Sequence, residues 1–245
     1  MTETAPHFAT RHDGVKLAYR LSKGGGPTLV FLPGYMSDMQ GGKATALCAW
    51  AEAQGIGMLR LDYSGCGASE GAFEDGTLDI WRDDVLAVIA HAQIGPLILV
   101  GSSMGGWLML LVAEALGAQV MAMVGIAAAP DFTDWDFNDA DRATMAADGR
   151  IERPSDYGYD PMVITRAFWQ SGQDNLRLNG EIGIGCPVRL IHGQCDPDVP
   201  WQTSLNLAAR LRSSDVQTIL VKDGDHRLSR DTDIALLIDS VAKLV

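Results

Sequence analysis

Apolar residues fall into two patterns along this chain. Short, mostly apolar runs occupy positions 28–32, 58–61, 97–100, 120–126, 187–191 and 216–221, with Arg60, Arg189, Gln217 and Thr218 as polar positions inside them. A run of that length with little polar interruption predicts a strand buried on both faces of a parallel sheet. Between the runs lie longer stretches, 43–54, 78–92, 201–211 and 234–244, in which apolar and polar residues mix as expected of helices. In 78–92 the apolar positions include Ile80, Val85, Val88 and Ile89. Near the start, 8–11 and 15–19 alternate in character about His12-Asp13-Gly14, which predicts a hairpin at a sheet edge. Gly24-Gly25-Gly26-Pro27 reads as a loop. Strands alternating with helices predict a mostly parallel, eight-stranded sheet with helices on both faces.

The alternation stops at 131–186. Five aspartates, Asp131, Asp134, Asp136, Asp139 and Asp141, stand close together there, with Phe132, Trp135, Phe137, Tyr157, Tyr159, Phe168 and Trp169. The segment is expected to be a helical cap inserted over the strand ends, where such sheets bind their ligands. The expected organisation is a core of 1–130 and 187–245, with 131–186 as cap or lid.

One stretch departs from both patterns. The run 97–100 turns at Gly101-Ser102-Ser103-Met104-Gly105-Gly106 and leaves as a second apolar run, 107–116, closed by Gly117. The second run is long enough for a helix, and Gly117 stands where a C-terminal cap would. Positions 94–113 carry no charge and approach the length of about 20 residues needed for a membrane span. Gly95-Pro96 and the Gly/Ser cluster break that stretch in two, so no membrane insertion is expected. The turn itself reads G-x-S-x-G. A serine at the apex of a sharp strand-to-helix turn has its hydroxyl pushed outward, and glycines two residues either side allow close backbone approach. The pattern is similar to the nucleophile elbow of α/β-hydrolases, and it makes Ser103 the candidate nucleophile.

A serine hydroxyl needs a base, and the base needs an orienting carboxylate. In this fold they follow in the order Ser, Asp, His. The strand at 188–191 leads into His192-Gly193-Gln194-Cys195-Asp196-Pro197-Asp198, which makes Asp196 the candidate acid and Asp198 its alternative. The last strand leads into Asp223-Gly224-Asp225-His226, which makes His226 the base. His192 ends a strand directly and is expected to hold the loop carrying Asp196. The oxyanion of the tetrahedral intermediate needs two backbone N–H donors, expected from Met104 and Tyr35.

Composition narrows the rest. A net charge of −12 and a pI of about 4.7 argue against nucleic acid as a partner. The 245 residues suit one large domain, and 47% hydrophobic content supplies a sizeable core. Cys48, Cys66, Cys186 and Cys195 form no C-x-x-C pair and read as reduced thiols. With no signal-like or transit-like pattern in the first residues, a cytoplasmic protein is expected. No cofactor or metal is expected. Gly65-Cys66-Gly67 is followed by Glu70 where a dinucleotide fingerprint wants glycine, no P-loop lysine is present, and the aspartates lack calcium-loop spacing. Oligomeric state is not legible.

Elbow, acid and base together identify the chain as resembling the α/β-hydrolase superfamily. More narrowly it resembles the branch of abhydrolase domain-containing protein 10, a mitochondrial palmitoyl-protein thioesterase and acyl-glucuronide esterase. The likeness rests on Pro33-Gly34-Tyr35, Asp62-Tyr63-Ser64-Gly65, Gly101 through Leu110, His192-Gly193, Val199-Pro200-Trp201 and Asp225-His226-Arg227. It implies Ser103, Asp196 and His226 as triad, and a small-molecule acyl ester or thioester, or an acylated protein, as substrate. The cap matches least. Its aromatics Phe132, Trp135, Phe137, Tyr157, Phe168 and Trp169 are expected to line an apolar acyl pocket, the alternative being that they only anchor the cap to the sheet. Its acidity is expected to disfavour anionic leaving groups unless Arg142, Arg150, Arg153 or Arg166 reaches the site.

Overall fold

The computed structural model describes residues 5–154 and 161–245. The expected edge hairpin is present as β1 (His7–Thr10) and β2 (Lys16–Ser22). There follow β3 (Gly25–Leu32), α1 (Gly42–Gln54), β4 (Ile56–Leu61), α2 (Leu78–Ala92), β5 (Leu97–Ser102), α3 (Met104–Leu116) and β6 (Val120–Ile126). After a long excursion come β9 (Val188–Gly193), α7 (Gln202–Arg210), β10 (Val216–Val221) and α8 (Asp231–Ala242). Among the described residues these strands form one eight-stranded sheet in the order β1-β2-β4-β3-β5-β6-β9-β10. Within this sheet, among the described residues, only the pairs β1–β2 and β2–β4 are antiparallel.

The apolar runs make the sheet a two-sided core. Side chains alternate along a strand, so Val30, Leu32, Leu97 and Leu99 pack on the α2–α3 face, while Leu29, Phe31, Ile98 and Val100 pack against α1 and α8. All these side chains are almost fully buried. Thr77 caps α2 by accepting from Ile80 N, and Gly55 ends α1 in the left-handed conformation. One boundary departs from expectation. The glycine-rich stretch before Thr28 is not wholly a loop, because β3 begins at Gly25, paired with Ile56, and then slips register before Leu29.

The excursion between β6 and β9, called the cap segment below, holds α4 (Phe132–Trp135), α5 (Asp139–Asp148), β7 (Arg150–Arg153), β8 (Met162–Thr165) and α6 (Arg166–Asp174). It is therefore not purely helical. Ile151 and Ile164 are paired across the β7–β8 hairpin and turned into the core. Asn138 and Asp141 form a capping box at the start of α5, which uses one aspartate of the acidic run. Asp131 clamps the segment to itself: its carboxylate accepts from the backbone N–H groups of Arg177 and Leu178 at 2.8 and 2.7 Å. Tyr157 and Tyr159 lie outside the described residues. Among those described, no helix is long and apolar enough to cross a membrane.

Candidate active site

β5 ends, α3 begins, and Ser103 is the residue between them. Its φ of 54° and ψ of −121° lie in a region that non-glycine residues seldom occupy. The turn is held there from outside. Ser103 N donates to Ile126 O at 2.9 Å, and Ala129 N donates to Ser103 O at 3.1 Å. The glycine spacing has the reason expected of it. A Cβ on Gly101 would lie 2.3 Å from the Gly105 carbonyl oxygen, and one on Gly105 would lie 2.1 Å from Leu32 O. Both contacts are far inside van der Waals range, so any side chain there would force the strand, turn and helix apart.

Asp196 and His226 arrive from two other strand ends, on the loops after β9 and β10. The loops press backbone to backbone. Gln194 N donates to Val221 O at 2.8 Å and Cys195 N to Gly224 O at 2.9 Å. A Cβ on Gly193 would lie 2.2 Å from Gly224 O, so the glycine after His192 is what lets the loops meet. The result is a continuous relay. His226 Nε2 lies 3.1 Å from Ser103 Oγ, and His226 Nδ1 lies 2.8 Å from Asp196 Oδ2. An ionised carboxylate only accepts, so Nδ1 carries the proton and Nε2 offers its lone pair to the serine hydroxyl.

The carboxylate is saturated. Oδ2 also faces His192 Nε2 at 3.1 Å, and Oδ1 accepts from the N–H groups of Asp198 and Val199 at 2.9 and 2.8 Å. Burial alone would raise the Asp196 carboxyl. The hydrogen bonds from His192 and His226, the charge of His226 and the Val199 N–H outweigh it and hold the group well below the usual carboxylate range. His192 is fully buried, and its Nε2 faces two acceptors, Asp196 Oδ2 and Val199 O. Nε2 is therefore the protonated nitrogen, and Nδ1 accepts from Ser204 Oγ at 2.7 Å. The structure thus brings Ser103, His226 and Asp196 together, with His192 bracing the acid. Asp198 stays on the exposed rim of the loop. Asp223 bonds Arg230 and Asp225 accepts from Leu228 N, so neither reaches the relay.

Tyr35 follows β3, on a turn that lies against the elbow. A Cβ on Gly34 would sit 3.4 Å from both Ser103 Cβ and Ser102 O. The Tyr35 N–H has no backbone acceptor among the described residues. Met104 opens α3, so its N–H has no acceptor within the helix.

A cavity of about 780 Å³ opens over Ser103 and His226. Its apolar wall includes Met36, Phe132, Trp135, Met162 and Val199. Only two of the described cap aromatics, Phe132 and Trp135, reach it. Phe137 is instead buried beneath the Arg153 guanidinium, which sits 4.8 Å from its ring centroid. Phe168 is 1% exposed inside an aromatic cluster, and Trp169 Nε1 donates to Thr133 O at 3.0 Å. Large apolar surface here is spent on seating the cap. Among the four expected arginines only Arg153 touches the cavity, and it is held by Asp136 and Asp141. Arg142 bonds Asp134, Arg150 bonds Glu152, and Arg166 bonds the carbonyls of Met145 and Ala146.

Lys43 also lines the cavity, and composition gave no hint of it. Burial and the nearby Arg227 charge bring its ammonium down to about 8. Cys66 goes the other way. Burial, with Asp62 and Asp84 nearby, pushes its thiol up to about 12, which leaves it inert. Asp196, Asp198 and His226 could offer ligand atoms within 4.8 Å of one another, but a cation there would compete with the hydrogen bond between Asp196 and His226.

Comparison with known proteins supplies the family. The model of the alpha/beta hydrolase family matches residues 29–237. The human protein named palmitoyl-protein thioesterase ABHD10, mitochondrial, is 39% identical over 99% of this chain and 81% of its own length. The structure of mouse alpha/beta hydrolase domain-containing protein 10 superposes with a TM-score of 0.92, at 40% identity, covering 98% of each chain. The esterase Est1E from Butyrivibrio proteoclasticus, with ferulic acid bound, reaches a TM-score of 0.80 at 20% identity, over 97% of this chain and 96% of its own, and so shares the fold. One expectation is overturned. The mammalian relatives carry mitochondrial names, which points away from the cytoplasmic location read from composition. The chain is an enzyme of the hydrolase class, and it belongs to the alpha/beta hydrolase family.

Proposed function

We propose that this chain is a serine hydrolase that cleaves acyl esters or thioesters through an acyl-enzyme intermediate. The observation that carries the reading is the unbroken hydrogen-bonded line Ser103–His226–Asp196 at 3.1 and 2.8 Å, beneath a cavity with an apolar wall. His226 Nε2 takes the proton as Ser103 Oγ attacks the acyl carbon. The Tyr35 and Met104 N–H groups receive the oxyanion, each such donor contributing about 10²- to 10³-fold in rate. His226 then returns the proton to the leaving oxygen or sulfur. Water, activated by the same His226, releases the acid and restores Ser103. Asp196 stays ionised throughout and stabilises the imidazolium.

The acyl group lies against Met36, Phe132, Trp135 and Met162, with residues 131–186 serving as the lid. The thioesterase names of the mammalian relatives favour a long acyl chain on sulfur. An anionic leaving group such as a glucuronide is less well served, because Arg153 is already ion-paired with the acidic cap.

The test is kcat/KM on p-nitrophenyl esters and acyl thioesters from two to sixteen carbons, with Ser103→Ala as control. Each methylene buried against an apolar wall contributes up to about 0.8 kcal/mol, roughly fourfold, until the cavity is full. A rising profile supports the reading. A profile that is flat or falls from acetyl contradicts an apolar acyl site.

A further inference from the structure

Tyr35 has two ends. Its N–H is the second oxyanion donor in the function proposed above, and the present inference rests on that reading. Its phenol reaches the cap segment. Tyr35 Oη donates to the carbonyl of Val163, on β8 of the cap segment, at 2.6 Å. The ring sits 4.8 Å from Phe168 and 6.3 Å from Phe132, both in the cap segment. It also sits 5.0 Å from Phe73 and 5.8 Å from Trp81, both on the core side. Tyr35 is thus a ring shared by cap and core, beside the contacts of Trp81 with Phe168 at 5.5 Å and of Trp107 with Phe132 at 5.7 Å.

The turn that carries it has little stiffness of its own. Gly34 has no side chain, Met36 holds a φ of 55°, and the turn is closed by two long bonds, Ser37 N to Gly34 O at 3.2 Å and Ser37 Oγ to Tyr35 O at 3.5 Å. Outside support fixes it. Tyr63 Oη donates to Pro33 O at 3.0 Å and pins the start of the turn from the core. The cap pins Tyr35. Burial pushes the Tyr35 phenol well above its ordinary value, so it remains a donor at any working pH.

We propose that Tyr35 is a positioning residue that makes the oxyanion hole conditional on the seating of the cap. With β8 on its phenol and Phe168 and Phe132 on its ring, the Gly34–Tyr35 peptide is held with its N–H over the nucleophile. When those contacts loosen, the turn relaxes and the second donor is lost while Ser103, His226 and Asp196 stay aligned. An acyl chain that fills the space between floor and cap favours the seated state. Chain length then raises kcat as well as lowering KM, a form of induced fit.

The test is Tyr35→Phe, with active sites counted by end-point labelling with a fluorophosphonate. An alkylboronic acid serves as the tetrahedral mimic, because its adduct places an oxygen in the hole. Expected are a fall in kcat per labelled site of about tenfold, an equal rise in boronic-acid Ki, and KM within twofold. The dependence of kcat on chain length flattens. Phe168→Leu, which acts from the cap side and lines no part of the cavity, moves Ki in the same direction and decides the matter if Tyr35→Phe fails to fold. A lowered Tm with kcat per site and Ki unchanged shows a merely structural tyrosine and overturns the inference alone. Wild-type protein that neither labels nor binds the boronic acid overturns the function as well.

Discussion

The floor of the site and its cap are built by different rules. On the floor, Ser103, Asp196 and His226 sit at the ends of β5, β9 and β10, and backbone contacts at Gly105 and Gly193 fix their spacing. In the cap, side chains do the placing. Phe168, Phe137 and Trp169 are spent on seating, Asp136 and Asp141 hold Arg153, and among the described cap aromatics only Phe132 and Trp135 remain for a ligand, beside Met162. A floor set by backbone sterics is unforgiving of change. A cap set by side-chain packing can be retuned, and so it is where substrate choice is expected to lie.

The largest effect separating the two regions is expected at Asp196→Asn. The amide can offer its NH₂ group to His226 Nδ1, which favours the wrong tautomer, and kcat should fall by about 10⁴-fold with the fold retained. Steady-state kinetics together with circular dichroism check this, and a loss under tenfold would break the assignment of the acid. Next comes Gly193→Ala. Its Cβ would lie 2.2 Å from Gly224 O, so the loops carrying acid and base must part. Stability should drop by about 1–3 kcal/mol and kcat by more than that destabilisation explains, read by urea unfolding beside kinetics.

A smaller effect belongs to the cap. Trp135→Ala should lower kcat/KM about tenfold on sixteen-carbon substrates and leave acetyl esters unchanged, since it removes wall and leaves the relay alone. Equal losses on both would show that the floor depends on this wall.

The smallest effect concerns acid. Asp196 is held below the ordinary carboxylate value of about 3.9, so its stabilising contribution is complete above that pH and is lost as pH falls through the lower, folded value. The Tm gap between wild type and Asp196→Asn should therefore be constant above about pH 4 and narrow below it. Parallel curves down to pH 2 would remove the electrostatic argument.

The same contrast explains what could be read in advance. Floor residues were legible because each carries a local signal. Ser103 lies in G-x-S-x-G, and Asp196 and His226 lie a few residues beyond apolar runs. The bracing by His192 was legible for the same reason. The meeting of Gly193 with Gly224 was not, because it depends on two loops brought together by parallel pairing of β9 with β10. Cap contacts were less legible still. The Tyr35–Val163 bond spans 128 residues of sequence, and nothing local to either residue announces it. Aromatic composition showed that the cap would be apolar inside, but not which rings would face the ligand. The β7–β8 hairpin was missed because two four-residue strands give too short an alternation to register. Location was misjudged because composition does not report the compartment of a protein.

The central claim is that Ser103 is the nucleophile. A fluorophosphonate probe followed by peptide mapping tests it most directly. The account predicts one adduct, on Ser103 Oγ, abolished in Ser103→Ala and greatly slowed in His226→Ala. An adduct on any other residue, or folded wild-type protein that takes up no probe, would contradict it.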